Sequence, residues 1–275
     1  AWAMAVADVD DNGYKDIIAG GYGPAVRIYK MNATGTAATL YSLPTSNFFL
    51  QNLTVGDINE DGYVDIFCCD DNAESHVYLN NGTGTFAASN IINFNVSATD
   101  DSGNYGSAWV DYDNDGDLDL HIAKCRQAIS NPADARRINL MFRNNGNGTF
   151  TDAGAASNLN FCWQSWTGTF ADIDNDNDFD LILCNHDNVS QIWENDGSGV
   201  YTDITTSTGF TTAGLSSGMP IEAATDDFDN DGFIDIMITG QDHLMWRNNG
   251  NSTFSLVNGI FNAGSMLTFA TGDAN

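Results

Sequence analysis

The chain has 275 residues, of which 37 are acidic and 9 are basic, so its formal net charge at pH 7 is −28. This acidity excludes nucleic acids and anionic membrane surfaces as partners, because both require a basic surface. Hydrophobic residues make up 42% of the chain and aromatic residues 11%, which indicates a globular protein and not a disordered one. No apolar run approaches the roughly 18 residues of a membrane-spanning helix, so we expect no membrane insertion.

A nine-residue acidic segment recurs along the chain and organises it. Its clearest copy is 111–119, in which Asp occupies every odd position, and the other complete copies are 8–16, 57–65, 172–180 and 227–235. In an extended loop the odd positions point to one side, so the side-chain oxygens of positions 1, 3, 5 and 9 can converge. A glycine at position 6 supplies a turn, and position 7 can offer its backbone carbonyl. Calcium prefers a cage of six to eight such oxygens.

Each acidic segment belongs to a repeat that predicts four short β-strands. An apolar run leads into the segment, and a short β-type run follows it. A third, alternating run ends in a turn rich in Asn and Gly, after which a fourth strand begins. Asn-Gly steps favour tight hairpins because both residues tolerate positive φ angles. In the second to fifth repeats these turns are 80–86, 144–150, 195–201 and 248–254.

Four antiparallel strands repeated along a chain predict an all-β fold, a β-propeller with one four-stranded blade per repeat. Helical periodicity is absent. The chain is interpreted as a single propeller domain, with blades at approximately 1–46, 47–100, 101–160, 161–212 and 213–262 and the first strand of a sixth within 263–275. A propeller closes so that no sheet edge remains exposed, so we expect these five blades and one strand to be a fragment of a closed propeller.

The acidic segment and the Asn-Gly turn together resemble the FG-GAP/VCBS repeats of integrin α-subunit propellers and of many bacterial surface proteins. The resemblance covers essentially the whole chain. It implies that each segment joins the first and second strands of a blade and binds a structural calcium ion, about five Ca²⁺ in all. The implied side-chain ligands are Asp8, Asp10, Asn12, Asp16, Asp57, Asn59, Asp61, Asp65, Asp111, Asp113, Asp115, Asp119, Asp172, Asp174, Asp176, Asp180, Asp227, Asp229, Asp231 and Asp235, and the implied carbonyl ligands belong to Tyr14, Tyr63, Asp117, Asp178 and Phe233.

Two copies depart from the family pattern. In the fourth segment Asn177 stands where the others have Gly, and because Asn also adopts the left-handed conformation we retain that site. A sixth segment begins at Asp273 but lacks half of its ligands within this sequence, so we expect it to bind nothing.

Antiparallel order places the acidic segments and the Asn-Gly turns on one face of the propeller and the irregular connections on the other. The third repeat carries an insertion on that opposite face, 125–138. Five of the nine basic residues lie in or beside it: Lys124, Arg126, Arg136, Arg137 and Arg143. The insertion is either a recognition loop for an anionic partner or an internal clamp for nearby carboxylates. Under the first interpretation Arg126, Arg136 and Arg137 bind the ligand.

The same face is rich in aromatic residues. They are Phe48, Phe49, Phe94, Tyr105, Phe161, Trp163, Trp166 and Phe210. Exposed rings can stack on sugars, and Trp163 is the candidate for that role; the alternative is that these rings pack between blades. Cys125 and Cys162 fall on this face in adjacent segments, and we expect a disulfide there, which requires an oxidising compartment.

No catalytic constellation is apparent in the sequence. The segment 214–218 matches the GxSxG pattern, but it precedes a strand, whereas a nucleophile elbow needs a strand before it and a helix after it. The four histidines lie in different repeats. We therefore predict that the chain is not an enzyme.

The sequence predicts an extracellular or cell-surface calcium-binding propeller that serves as a non-catalytic binding or adhesion module. Three alternatives remain open: a lectin-like carbohydrate-binding module, a structural subunit of a surface assembly or filament, and, as the weakest, a polysaccharide-processing enzyme. The expected partner is a protein or glycan on the face opposite the calcium segments, or neighbouring copies or the rest of the same chain.

Overall fold

The computed structural model describes residues 3–23, 25–43, 48–97, 99–211, 220–240 and 243–259. Apart from one 3₁₀ turn (Ala135–Arg137), the regular elements of these segments are β-strands. They are β1 (Ala3–Ala7), β2 (Asp16–Gly20), β3 (Tyr22–Gly23), β4 (Arg27–Met31), β5 (Ala38–Ser42), β6 (Phe48–Gly56), β7 (Asp65–Asp70), β8 (His76–Asn80), β9 (Phe86–Ser89), β10 (Asn104–Val110), β11 (Asp119–Lys124), β12 (Leu140–Asn144), β13 (Phe150–Asp152), β14 (Ser165–Ala171), β15 (Asp180–Asn185), β16 (Gln191–Asn195), β17 (Tyr201–Asp203), β18 (Glu222–Asp226), β19 (Asp235–Thr239), β20 (Leu244–Asn248) and β21 (Phe254–Val257).

These strands form five antiparallel sheets, one for each predicted repeat. Four sheets have four strands in the orders β1-β2-β4-β5, β10 to β13, β14 to β17 and β18 to β21. The remaining sheet, β6 to β9, gains a fifth strand because the short β3 pairs with the start of β6 and so joins the first repeat to the second. The predicted all-β fold of four-stranded antiparallel units is confirmed.

The first strands of successive sheets lie side by side. β1 contacts β6, β6 contacts β10, β10 contacts β14, and β14 contacts β18. Sheets that meet along their first strands are arranged like the blades of a propeller. None of the described segments contains a helix long and apolar enough to cross a bilayer.

Hydrophobic cores lie between consecutive sheets. Ile18 and Ile66 belong to the core between the first two sheets, and Ile182 and Ile236 belong to the core between the fourth and fifth. The second strands β7, β11 and β15 are buried along their whole length because neighbouring blades cover both of their faces. This double burial explains why these strands appear in the sequence as continuous apolar runs and not as alternating ones.

His121 is a polar exception within β11. Its ring is completely buried and meets the ring of Phe170 edge-on, with 5.6 Å between centroids. Neither ring nitrogen has a hydrogen-bond partner in the described segments. Burial lowers the pKa of this imidazole to about 4, well below its ordinary value.

The buried imidazole predicts a specific loss of stability in acid. Between pH 6.5 and 4 the unfolded chain binds a proton at His121 that the folded chain does not, so the free energy of unfolding falls as the pH falls. The loss should approach about 3 kcal/mol near pH 4. His121→Met, the residue found at the equivalent place in β19, should remove this part of the acid sensitivity. Urea unfolding of both proteins at pH 7.5 and 4.5 measures it, and equal acid losses would contradict the prediction.

Candidate metal sites and an opposite-face cleft

Each of the five nine-residue acidic segments forms a loop, called an acidic loop below, and its first aspartate holds the tight turn of that loop. In the third loop the N–H groups of Asp115 and Gly116 donate to the two carboxylate oxygens of Asp111, both at 3.0 Å. The same two bonds recur in the other four loops. Position 6 has a positive φ, 95° at Gly116 and 75° at Asn177. Asn177 thus adopts the left-handed conformation that a glycine takes elsewhere, and the fourth loop keeps the common turn.

The aspartate at position 9 ties the loop to its own blade. Asp180 is buried; its Oδ2 accepts from the N–H of Ile173 at 3.1 Å, and its Oδ1 accepts from the N–H of Asn195 at 2.8 Å. The corresponding aspartates make the same pair of bonds in the other four loops. Position 9 therefore supports the fold directly, whether or not it also contacts a cation.

Carboxylates converge in four of the loops. In each of them one oxygen from every member of a trio lies within 4.8 Å of the others. The trios are Asp8, Asp10 and Asp16; Asp111, Asp113 and Asp115; Asp172, Asp174 and Asp180; and Asp227, Asp229 and Asp235. In the third loop the trio is completed by Asp115 at position 5 and not by Asp119 at position 9. The second loop has Asn59 at position 3, so one of its predicted ligands is an amide oxygen.

The electrostatics of these loops suit a hard divalent cation. At position 3, Asp10, Asp113 and Asp174 each have a buried Oδ1 without a hydrogen-bond partner in the described segments. Burial, with the neighbouring Asp176 next in importance, raises the pKa of Asp174 to about 6. Burial also raises the pKa of Asp119 to about 7, although two backbone N–H groups stabilise its charge. Unpaired oxygens and uncompensated negative charge are what a bound cation would satisfy.

In each blade the third strand (β4, β8, β12, β16 or β20) ends near the acidic loop, and its next-to-last residue differs from blade to blade. In the third blade Arg143 pairs through Nε with Asp113 at 2.7 Å and through Nη2 with Asp115 at 2.9 Å. Arg247 bridges positions 3 and 5 of the fifth loop in the same way. Arg143 therefore serves the acidic loop and lies at the far end of its blade from the insertion.

The other three blades carry different residues at this place. The first has Lys30, the second has Leu79 and the fourth has Glu194. Glu194 contributes to the raised pKa of Asp174, and both residues line one small cavity. The fourth loop thus gains a carboxylate where the third and fifth loops have a cation.

The last residue of the third strand links neighbouring blades, a role that the sequence analysis missed. The Nδ2 of Asn195 donates to the carbonyl of Tyr112 in the preceding loop at 2.8 Å, and Asn248 donates to Ile173 at 2.7 Å. Asn80 makes the equivalent bond in the second repeat. From the sequence, these asparagines are expected to serve the turn alone. Their recurrence in four repeats was the available signal.

A cleft of about 370 Å³ opens on the opposite face, between the second and third blades. Its lining residues are Phe49, Gln51, Asp71, Tyr105, Cys125, Arg126, Gln127 and Ala128. They lie at the starts of β6 and β10 and just after β7 and β11, whereas the acidic loops join the other ends of the same strands.

The cleft combines polar groups with aromatic rings. Asp71 accepts from the Nε2 of Gln51 at 3.3 Å and from the Nη1 of Arg126 at 3.3 Å. Burial raises the pKa of Asp71, although Gln51 and Arg126 oppose that shift. The ring of Tyr105 packs against Trp166, with 5.0 Å between centroids. The side chain of Arg126 is 36% exposed and is accessible to a ligand.

The basic residues of the insertion are all paired. Arg136 contacts Asp134 at 2.7 Å, and the buried Arg137 contacts Asp187. Arg126 contacts Asp71, as described above. These pairs favour the internal-clamp interpretation over a recognition loop for anions.

The aromatic residues predicted on this face have different surroundings in the structure. Phe48, Phe94 and Phe210 are buried in the cores between blades, which is the packing alternative. Trp163 is 39% exposed but does not line the cleft. Phe161 stacks on Trp193, with 4.6 Å between centroids.

The expected disulfide does not form. Cys125 and Cys162 are both free thiols, and the Sγ of Cys125 lies 3.9 Å from the Oε1 of Gln164. The prediction was wrong because adjacency of two segments on one face does not bring their sulfur atoms together. The GxSxG segment 214–218, the predicted strand within 263–275 and the partial loop from Asp273 lie outside the described residues.

Among the solved structures that resemble this chain are a biofilm matrix protein and a peptide-bound protein. Bap1, a biofilm matrix protein of V. cholerae, is 12% identical with a TM-score of 0.54, over 96% of this chain and 40% of that protein. YCF48, solved bound to a D1 peptide, is 9% identical with a TM-score of 0.48, over 88% of this chain and 62% of that protein. The present chain thus spans less than two thirds of the length of either protein.

A family comparison agrees with the repeat structure. No curated protein matches the chain significantly. The FG-GAP-like repeat model matches residues 8–68, 57–122 and 129–183, which together make up more than half of the sequence. These matches span the first four acidic loops, and the sheets around them are the four-stranded units described above. The chain therefore belongs to the FG-GAP-like repeat family and is an FG-GAP repeat β-propeller.

Proposed function

We propose that this chain is an extracellular, calcium-stabilised, non-catalytic binding module whose opposite-face cleft holds a glycan. The cleft is the observation that carries the binding proposal. It places Tyr105 and Phe49 beside Asp71, Gln51 and Arg126. Concave sites with apolar walls and a few convergent polar groups are the usual form of a small-ligand site.

The chemistry of the cleft favours a neutral sugar. Sugar rings have apolar C–H faces, which suit aromatic walls, and hydroxyl groups that both donate and accept. Asp71 supplies an acceptor, Arg126 supplies donors, and Gln51 supplies both. Because Arg126 is already paired with Asp71, the cleft carries no free cation for an anionic partner.

The acidic loops support the calcium part of the proposal. Four trios of converging carboxylates and three unpaired position-3 oxygens match the ligand chemistry of a hard cation. Extracellular modules of this chemistry work at the calcium concentrations found outside cells. The similarity in fold to Bap1, which is described as a biofilm matrix protein, accords with a location outside the cell.

Arg143 should compete with calcium for the third loop. Arg143→Leu, which introduces the residue of the second blade, frees Asp113 and Asp115 and should raise the calcium affinity of that loop about fivefold, as for one exposed ion pair. Glu194→Leu should lower the calcium affinity of the fourth loop, because it removes a carboxylate that lies beside that loop. Isothermal titration calorimetry measures both, with Asp113→Ala identifying the third-loop transition. An unchanged or weaker third site in Arg143→Leu would contradict the prediction.

A glycan array, run with calcium and with chelator, tests the binding proposal. Binding of the wild-type chain to a defined neutral sugar should weaken at least tenfold in Gln51→Ala and Arg126→Ala, the loss expected from one or two buried hydrogen bonds. Arg136→Ala is the matched control, because this arginine lies in the same insertion but pairs with Asp134 outside the cleft. A folded, calcium-loaded chain that binds no glycan would refute the glycan proposal. Equal losses in all three variants would show that the effect is not specific to the cleft, and would contradict the assignment of the site to it.

A further inference from the structure

Lys124, Asn104 and Asp100 form a buried group at the opposite-face end of the third blade. Asn104 begins β10 and Lys124 ends β11, and the two are direct partners in the sheet register. The Nζ of Lys124 donates to the Oδ1 of Asn104 at 2.9 Å and contacts the carboxylate of Asp100. The side chains of Lys124 and Asp100 are 1% and 2% exposed, and Asn104 is 3% exposed. Water therefore has little access to the group.

Burial favours the neutral forms of the two ionisable residues. It lowers the pKa of Lys124 and raises the pKa of Asp100, and in each case it outweighs the attraction between them. A neutral lysine amine is a nucleophile, whereas an ammonium is not. The Oδ2 of Asp100 has no hydrogen-bond partner in the described segments, so it is available for proton transfer.

The amide of Asn104 is held in place for attack. Its Nδ2 donates to the carbonyls of Asp70 and Ala73, both at 2.9 Å, which fixes the plane of the amide. The Cγ lies one C=O bond from Oδ1, so the Nζ of Lys124 is within about 4 Å of Cγ. A reactive approach requires about 3–3.5 Å, so a small movement of the lysine side chain suffices.

We propose that Lys124 and Asn104 form an intramolecular isopeptide bond and that Asp100 transfers the proton. The Nζ–Cγ bond forms, the Cγ–Nδ2 bond breaks, and Nδ2 leaves as ammonia. Asp100 gives its carboxylic proton to Nδ2 and takes one proton from Nζ, so its carboxylic acid is regenerated. An amine and a primary amide become a secondary amide and ammonia, and nothing is oxidised or reduced.

The bond would join the first and second strands of the third blade at the end remote from the acidic loop. It would close the segment 104–124, which contains that loop. The described chain has only free cysteines, so this would be a covalent brace of a different kind. The equivalent register pairs of the second and fourth blades are Leu50 with Asp70 and Ser165 with Asn185, which lack the amine.

Intact-mass spectrometry of the denatured full chain tests the proposal. The wild-type chain should be lighter than its sequence by one ammonia, and tandem spectra should show a branched peptide that contains Lys124 and Asn104. Lys124→Arg and Asp100→Asn should each restore the full sequence mass. Lys15→Arg is the matched control, because Lys15 is exposed and should leave the mass deficit unchanged.

The wild-type mass decides the question even if a variant folds poorly. A folded wild-type chain at its full sequence mass would overturn the proposal. Loss of one water would place the bond on Asp100 and overturn the assignment to Asn104. An ammonia deficit that persists in Lys124→Arg, without a branched peptide, would indicate succinimide formation at an Asn-Gly step and would also overturn it.

Discussion

Removal of calcium is expected to lower the free energy of unfolding of this chain by several kcal/mol. A site with calcium at 100 times its dissociation constant contributes about 2.7 kcal/mol, and a domain has about 5–15 kcal/mol in total. Several occupied loops together would therefore rival the whole stability of the fold. Without the ion, burial and crowding of carboxylates oppose folding, as the raised pKa values of Asp119 and Asp174 indicate.

Thermal unfolding in calcium and in chelator measures this effect. Ionic strength must be matched, because added salt also screens the net charge of −28. Calcium should restore the melting temperature more fully than magnesium, which is smaller and requires near-octahedral geometry. Identical melting curves in calcium and chelator at equal ionic strength would contradict the calcium proposal.

Asp180→Ala is expected to destabilise the chain even in the absence of calcium. Asp180 is buried, and its two oxygens accept from the N–H groups of Ile173 and Asn195. Alanine leaves both buried N–H groups without an acceptor, at a cost of about 1–3 kcal/mol each. The loss should appear in chelator and should increase in calcium if position 9 is also a ligand.

Asp176→Ala is the matched comparison within the same loop. Asp176 is exposed, and its carboxylate accepts from the N–H of Asp178 at 3.0 Å. It also raises the pKa of Asp174, so its removal relieves repulsion in the cation-free loop. We expect Asp176→Ala to lower stability in calcium and to have little effect, or a slightly stabilising one, in chelator. Urea unfolding of both variants under both conditions separates the two roles, and equal effects in chelator would show that position 9 is not a separate structural support.

The acidic loops could be predicted from the sequence because their geometry is local. Nine contiguous residues contain the turn, the carboxylates and the backbone bonds of Asp111 that hold the loop. The blade pattern was also predictable, since four strands and an Asn-Gly turn recur in each repeat. The recurrence made even the departure at Asn177 interpretable, and the structure gives that residue the left-handed conformation that its position requires.

The partners of individual charged and polar side chains were decided only by the tertiary structure. Arg143 lies beside the insertion in the sequence, yet the strand places its side chain at the acidic loop. The sequence places Asn195 in its turn, yet its side chain also binds the preceding blade, 83 residues away in sequence. The opposite-face cleft and the contact between Lys124 and Asp100 likewise join separate segments. A repeat pattern determines which strands form a blade, and the recurrence of an asparagine can mark a position, but the partner that each side chain meets in the next blade depends on how the sheets pack.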